Sequence, residues 1–94
     1  MTQSVPLDVA EAIVSEVTSI HGVGDMHSGQ FGEVALLYPG TRVQGLRVND
    51  SRLEVHLVCD YAAGEDLHRV AEKVRSVASR HVDLPVDVIF GDAQ

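Results

Sequence analysis

The run Leu53-Glu54-Val55-His56-Leu57-Val58-Cys59 alternates almost without a break, and a period of two is the mark of a strand with one face buried. Upstream, Val43-Gln44-Gly45-Leu46-Arg47-Val48 leads into the turn residues Asn49-Asp50-Ser51, so the two runs read as a hairpin. Its register follows from charge. Pairing Val48 with Ser51 sets Arg47 opposite Arg52, and like charges directly opposite are unfavourable. Pairing Val48 with Leu53 sets Arg47 opposite Glu54 and Leu46 opposite Val55. The second register is preferred, with a loop centred on Asp50-Ser51. It gathers Leu46, Val48, Leu53, Val55, Leu57 and Cys59 on one buried face and leaves Arg47, Glu54, His56 and Asp60 on the other.

Two helical patterns flank the hairpin. Ala10, Ile13, Val14, Val17 and Ile20 recur at three- and four-residue spacing, predicting a helix over about Asp8 to Ile20 with Asp8 as N-cap and Glu11 completing a capping box. Gly22 sits where a helix end wants a left-handed residue. Leu67, Val70, Ala71, Val74, Val77 and Ala78 form a second stripe over about Glu65 to Arg80, with acids in the first turn and a His68–Glu72 pair on the wet side. Pro85 then opens a last strand through Phe90, at the strand's own edge, where its missing N–H does least harm. A strand–helix–strand crossover of this kind is expected to be right-handed. From Gly22 to Arg42 five glycines, Gly22, Gly24, Gly29, Gly32 and Gly40, interrupt the pattern. Glu33 to Tyr38 reads as a short strand with Val34, Leu36 and Tyr38 on one face, or as a short helix; Pro39-Gly40 suits a type II turn.

The expected architecture is an α/β (α+β) two-layer sandwich, with both helices on one face of a small mixed sheet. The 94 residues make one domain, 1–94, with an ordered core over about 7–90 and short flexible tails. The single cysteine excludes an internal disulfide and favours a reducing, cytoplasmic setting. Met1-Thr2-Gln3-Ser4 shows no export signal, and no apolar run approaches the roughly 20 residues of a membrane span. Net charge is −7, and residues 1–41 hold five acids and no Lys or Arg. Such a surface repels phosphate backbones and anionic lipid, so neither nucleic acid nor direct membrane insertion is expected.

Candidate chemistry is sparse. His56 and Cys59 are separated by an odd number and face opposite sides of a regular strand, so Cys59 reads as core. His21, Asp25 and His27 flank a glycine-rich loop and form the one alternative worth weighing, a metal or small-ligand site. Gly29-Gln30-Phe31-Gly32 matches the four-letter loop of KH domains, the basis of a second, RNA-binding alternative. No serine lies in a nucleophile-elbow pattern, no dinucleotide or phosphate-loop motif is present, and no catalytic residue, metal ligand or cofactor is assigned. The segment with Phe31, Leu36, Leu37 and Tyr38, rimmed by Arg42, concentrates apolar and aromatic residues and is the candidate protein contact, with an unpaired strand edge as the alternative.

The assembled pattern resembles the bacterial alkaline-shock, or envelope stress response, family in a short actinobacterial-type form. The residues that carry the likeness are Val9-Ala10-Glu11-Ala12-Ile13 leading to Gly22-Val23, then Gly45-Leu46-Arg47-Val48, Leu53 to Val58, Val70-Ala71-Glu72-Lys73-Val74-Arg75 and Pro85-Val86-Asp87-Val88-Ile89. The family's tyrosine-glycine step after the long strand is here Tyr61-Ala62-Ala63-Gly64. The resemblance implies a non-enzymatic, cytoplasmic protein of cell-envelope homeostasis. It would act as an adaptor that binds itself as a homo-oligomer, or binds a membrane-anchored protein that holds it at the inner face of the membrane.

Overall fold

The structure is a computed structural model that describes residues 5–91; of the tails expected before residue 7 and after residue 90, positions 1–4 and 92–94 lie outside the described residues, whereas Val5 is buried and Pro6 caps a helix. The first helix, α1, spans Leu7–Thr18. Its N-cap lies two residues earlier than the capping-box reading places it. Pro6 is the N-cap, with no side-chain cap bond, and its carbonyl accepts from the Ala10 N–H at 2.9 Å. Asp8 therefore lies inside the first turn, where it complements the helix dipole rather than capping the helix. Gly22 has φ +102°, and a Cβ there would stand 2.7 Å from Val70 Cγ2. The residue is thus required both by its backbone angle and by the close approach of the second helix.

The stretch after Gly22 was the least legible. It contains strand β1, Val23–Met26, then a loop, then β2, Ala35–Tyr38, and β3, Thr41–Gln44. β2 and β3 pair as a hairpin around Pro39-Gly40, with Tyr38 opposite Thr41 and Leu37 opposite Arg42. The strand alternative for Glu33–Tyr38 prevails because Leu36 and Tyr38 alternate inward onto the core, a placement a helix could not give both residues. At Gly45, φ +92°, the chain bends from β3 into β4, Leu46–Asn49.

β4 pairs with β5, Arg52–Cys59, in the register chosen from charge: Leu46 with Val55, Arg47 with Glu54, Val48 with Leu53. The loop holds Asp50 and Ser51 at φ 53° and 60°, the left-handed values of a tight two-residue hairpin turn. A short 3-10 turn, Tyr61–Ala63, leads to the second helix, α2, Leu67–Ser79. Here Asp66 is the N-cap, its side chain accepting from the His68 N–H at 2.8 Å. Glu72 pairs with Arg75 at 2.8 Å, so the expected His68–Glu72 contact gives way to an i,i+3 pair with a permanently charged partner. The last strand, β6, Val86–Phe90, runs parallel to β5.

β5 is the axis of the sheet. β6 lies along one side, and β4 and β1 lie end to end along the other, meeting where His56 donates to Gly45 O and accepts from the His27 N–H. Leu53, Val55 and Leu57 are fully buried under Ile13 and Val17 of α1 and Val70, Val74 and Ala78 of α2. Both helices therefore cover one face of a mixed sheet, the expected two-layer sandwich. His81 and Glu16, 3.0 Å apart, tie the two helix ends together. Val5 belongs to the core, and its carbonyl accepts from the Tyr38 hydroxyl at 2.7 Å, which fastens the β2–β3 hairpin to the start of α1.

Candidate protein-contact surface

Alternation along the β2–β3 hairpin sorts the candidate contact residues. Leu36 and Tyr38 turn inward and pack against the core, so they leave the contact set. Burial pushes the Tyr38 hydroxyl above its usual range, with Glu11 adding to the effect. Leu37 and Arg42, cross-strand neighbours, turn outward, and Leu37 is 77% exposed. Phe31, in the loop before β2, is 86% exposed.

That loop is braced rather than loose. Arg42 Nη2 donates to Gly32 O at 2.6 Å, and Glu33 Oε1 accepts from the Phe31 N–H at 3.0 Å. The Glu33 carboxyl is held below its usual range by its own backbone N–H and by that of Phe31. A Cβ on Gly29, φ +86°, would fall 2.6 Å from that carboxylate, so glycine admits the brace. Arg42, the cross-strand neighbour of Leu37, thus braces the loop that carries Phe31 instead of standing free at a rim. The role of Glu33 was not read from the sequence; its only signal was an acid one residue after Gly32 in a segment otherwise free of fixed charge. Behind Arg42 a groove of about 480 Å³ opens between α1, β1 and β3, floored by Val14, Met26 and Val43 and edged by Glu11 and Asp25.

The other constellations are resolved by position. His21 lies 3.5 Å from Glu65, Asp25 accepts from the Met26 N–H, and His27 lies against Gly91 with Nδ1 accepting from the Gly29 N–H. The three point to different neighbours because Val23–Met26 is a strand, not a loop. Among the described residues no three His, Cys, Asp or Glu side chains converge as a metal site. Gly29-Gln30-Phe31-Gly32 lies between two strands, not between two helices as a KH loop requires. Cys59 is buried on the helix-covered face, opposite His56.

On the open face of the sheet, Glu54 accepts from Arg47 Nη2 at 2.9 Å and Asn49 Nδ2 at 3.3 Å, and lies 2.9 Å from His56 Nε2. The Glu54 and His56 side chains are only 15% and 12% exposed. The His56 hydrogen bond, with help from Arg47 and Asn49 and against the effect of burial, holds the Glu54 carboxyl below its usual range. These groups satisfy one another and lock β4 to β5.

The fold defines a two-layer α/β domain, and no helix among the described residues is long and apolar enough to cross a membrane. Comparison with models of known families and with curated proteins returns no match, and comparison with solved structures returns none.

Proposed function

We propose that the chain is a non-enzymatic protein-binding adaptor whose docking surface is the Phe31–Leu37 ridge. One observation carries this reading: two large apolar side chains, 86% and 77% exposed, are displayed on backbone pinned by Arg42 and Glu33. Pinning lowers the conformational entropy lost on docking, and aromatic anchors dominate interface energies. The net charge of −7 favours a protein partner over nucleic acid. The resemblance to the alkaline-shock family supports an adaptor of cell-envelope homeostasis, cytoplasmic and held near the membrane through an anchored partner.

The test is site-directed photo-crosslinking in the source cell. A photoreactive phenylalanine analogue at position 31 should give one discrete adduct with a second protein. The same probe at Gly40 should not, and Leu37→Asp should abolish the adduct while leaving the thermal midpoint unchanged. Absence of any adduct, or a collapse of folding in Leu37→Asp, would refute the ridge as a docking surface.

A further inference from the structure

We infer that the β6 edge pairs with the β6 edge of a second copy of this chain, antiparallel about a two-fold axis at Val88. This surface is separate from the Phe31–Leu37 ridge, and it deepens the adaptor reading by making the adaptor a dimer that presents two ridges.

The backbone alternation places the edge. Pro85 O accepts from the Leu53 N–H, and the Gly91 N–H donates to Leu57 O, both at 2.8 Å. Odd-numbered residues of β6 therefore face β5, while the N–H and C=O groups of Val86, Val88 and Phe90 point outward. Among the described residues one side chain hydrogen-bonds to these groups: Arg75, whose Nε reaches Val86 O at 3.4 Å; that carbonyl keeps a second lone pair for another donor.

Natural edges are blunted by bulges, proline, lysine or short length. Strand β1 carries a bulge between Val23 and Asp25. β2 and β3 have four residues each, and β2 runs directly into Pro39. β4 also has four residues, and the Val34 carbonyl closes over its start by accepting from the Gly45 N–H at 2.9 Å. β6 carries no bulge and no lysine, is one residue longer than β1 to β4, and its flanking proline, Pro85, stands before the strand with its carbonyl turned to β5. The strand is Val86-Asp87-Val88-Ile89-Phe90, apolar except for Asp87. That one charge is clamped by Arg52, Nε to Oδ2 at 2.7 Å and Nη2 to Oδ1 at 2.8 Å.

The strand is complementary to itself in one register. Centred on Val88, pairing sets Val88 opposite Val88 of the second copy, Val86 opposite Phe90 and Asp87 opposite Ile89. Every outward N–H and C=O of the strand then meets a partner, and side chains on the helix-covered side form apolar cross-strand pairs. Centring on Asp87 sets two carboxylates face to face. Centring on Ile89 leaves Val86 beyond the end of its partner strand.

The register dictates the test. Light scattering and amide hydrogen exchange are measured together on the full chain over a range of concentrations. A dimer should grow with concentration, and exchange at Val88 and Phe90 should slow in step with it, while Asp87, Ile89 and Gly91 stay protected throughout. Ile89→Asp, which faces Asp87 of the second copy, should lose the dimer at concentrations where Ile89→Lys retains it. A monomer at every concentration, or fast exchange at Val88 and Phe90 within a dimer, overturns the inference. So does equal loss in the two Ile89 variants. Leu37→Asp should leave the dimer intact; if it dissolves the dimer, the ridge is the self-contact and the β6 edge is not. Should either Ile89 variant fail to fold, exchange in the unaltered chain decides.

Discussion

Replacing Gly45 by alanine should be among the most damaging small changes available to this domain. Gly45 is the bend between β3 and β4, with φ +92°. An L-residue at a left-handed angle costs about 1–2 kcal/mol. A Cβ there would also stand 2.7 Å from both Cβ and Cε of Met26 and 3.1 Å from the carbonyl of His56. The Met26 thioether end can swing away, but its Cβ cannot, and the His56 carbonyl is held by the His27 N–H at 2.9 Å. Overpacking of this kind adds about 1–3 kcal/mol. The sum, about 2–5 kcal/mol, is a large share of the about 5–15 kcal/mol that a domain has. Gly40→Ala is the matched control. Gly40 has φ +77° but nothing within 4 Å of its added Cβ, so only the backbone strain of about 1–2 kcal/mol applies. Urea unfolding of both variants reads the difference. If Gly45→Ala loses no more stability than Gly40→Ala, the close approach of β1 to the bend does not govern this site.

Two further outcomes test the hairpin. Ser51→Gly should raise stability by about 0.5–1 kcal/mol, since relief of a left-handed residue worth about 1–2 kcal/mol outweighs the added freedom of glycine in the unfolded chain; a shift of the urea midpoint checks it. In acid, the depressed Glu54 carboxyl contributes stability that is present above its ordinary value of 4.5 and lost as pH falls through its lower folded value. Glu54→Gln should flatten that part of the pH–stability profile, read by thermal unfolding from neutral pH downward, and an unchanged slope would exclude Glu54 as a source of the acid sensitivity.

Much of the fold is legible where partners are close in sequence. Arg47, Glu54 and Arg52 select one hairpin register because only one avoids opposing like charges, and the structure has that register. The stripes Ala10-Ile13-Val17 and Val70-Val74-Ala78 mark the buried helix faces directly. The helix starts were less legible. Asp8 and Asp66 both resemble caps, and only Asp66 is one, because Pro6 begins α1 before Asp8 can cap it. The orientation of the candidate contact residues was only half legible: Phe31 to Tyr38 stand out as apolar and aromatic, but alternation with an unknown phase leaves open which of Leu36 and Leu37 turns outward.

The local sequence by itself determined the β4–β5 hairpin, its register, the two amphipathic helices and the position of the last strand, since each rests on periodicity or charge within a few residues. Only the tertiary structure decided the rest. β1 is a strand because β5, more than thirty residues downstream, supplies its hydrogen bonds, and four residues containing Gly24 carry no period of their own. Leu37 faces outward because Tyr38 is fastened to Val5 across 33 positions of chain, and a hydrogen bond of that span leaves no mark in any local pattern.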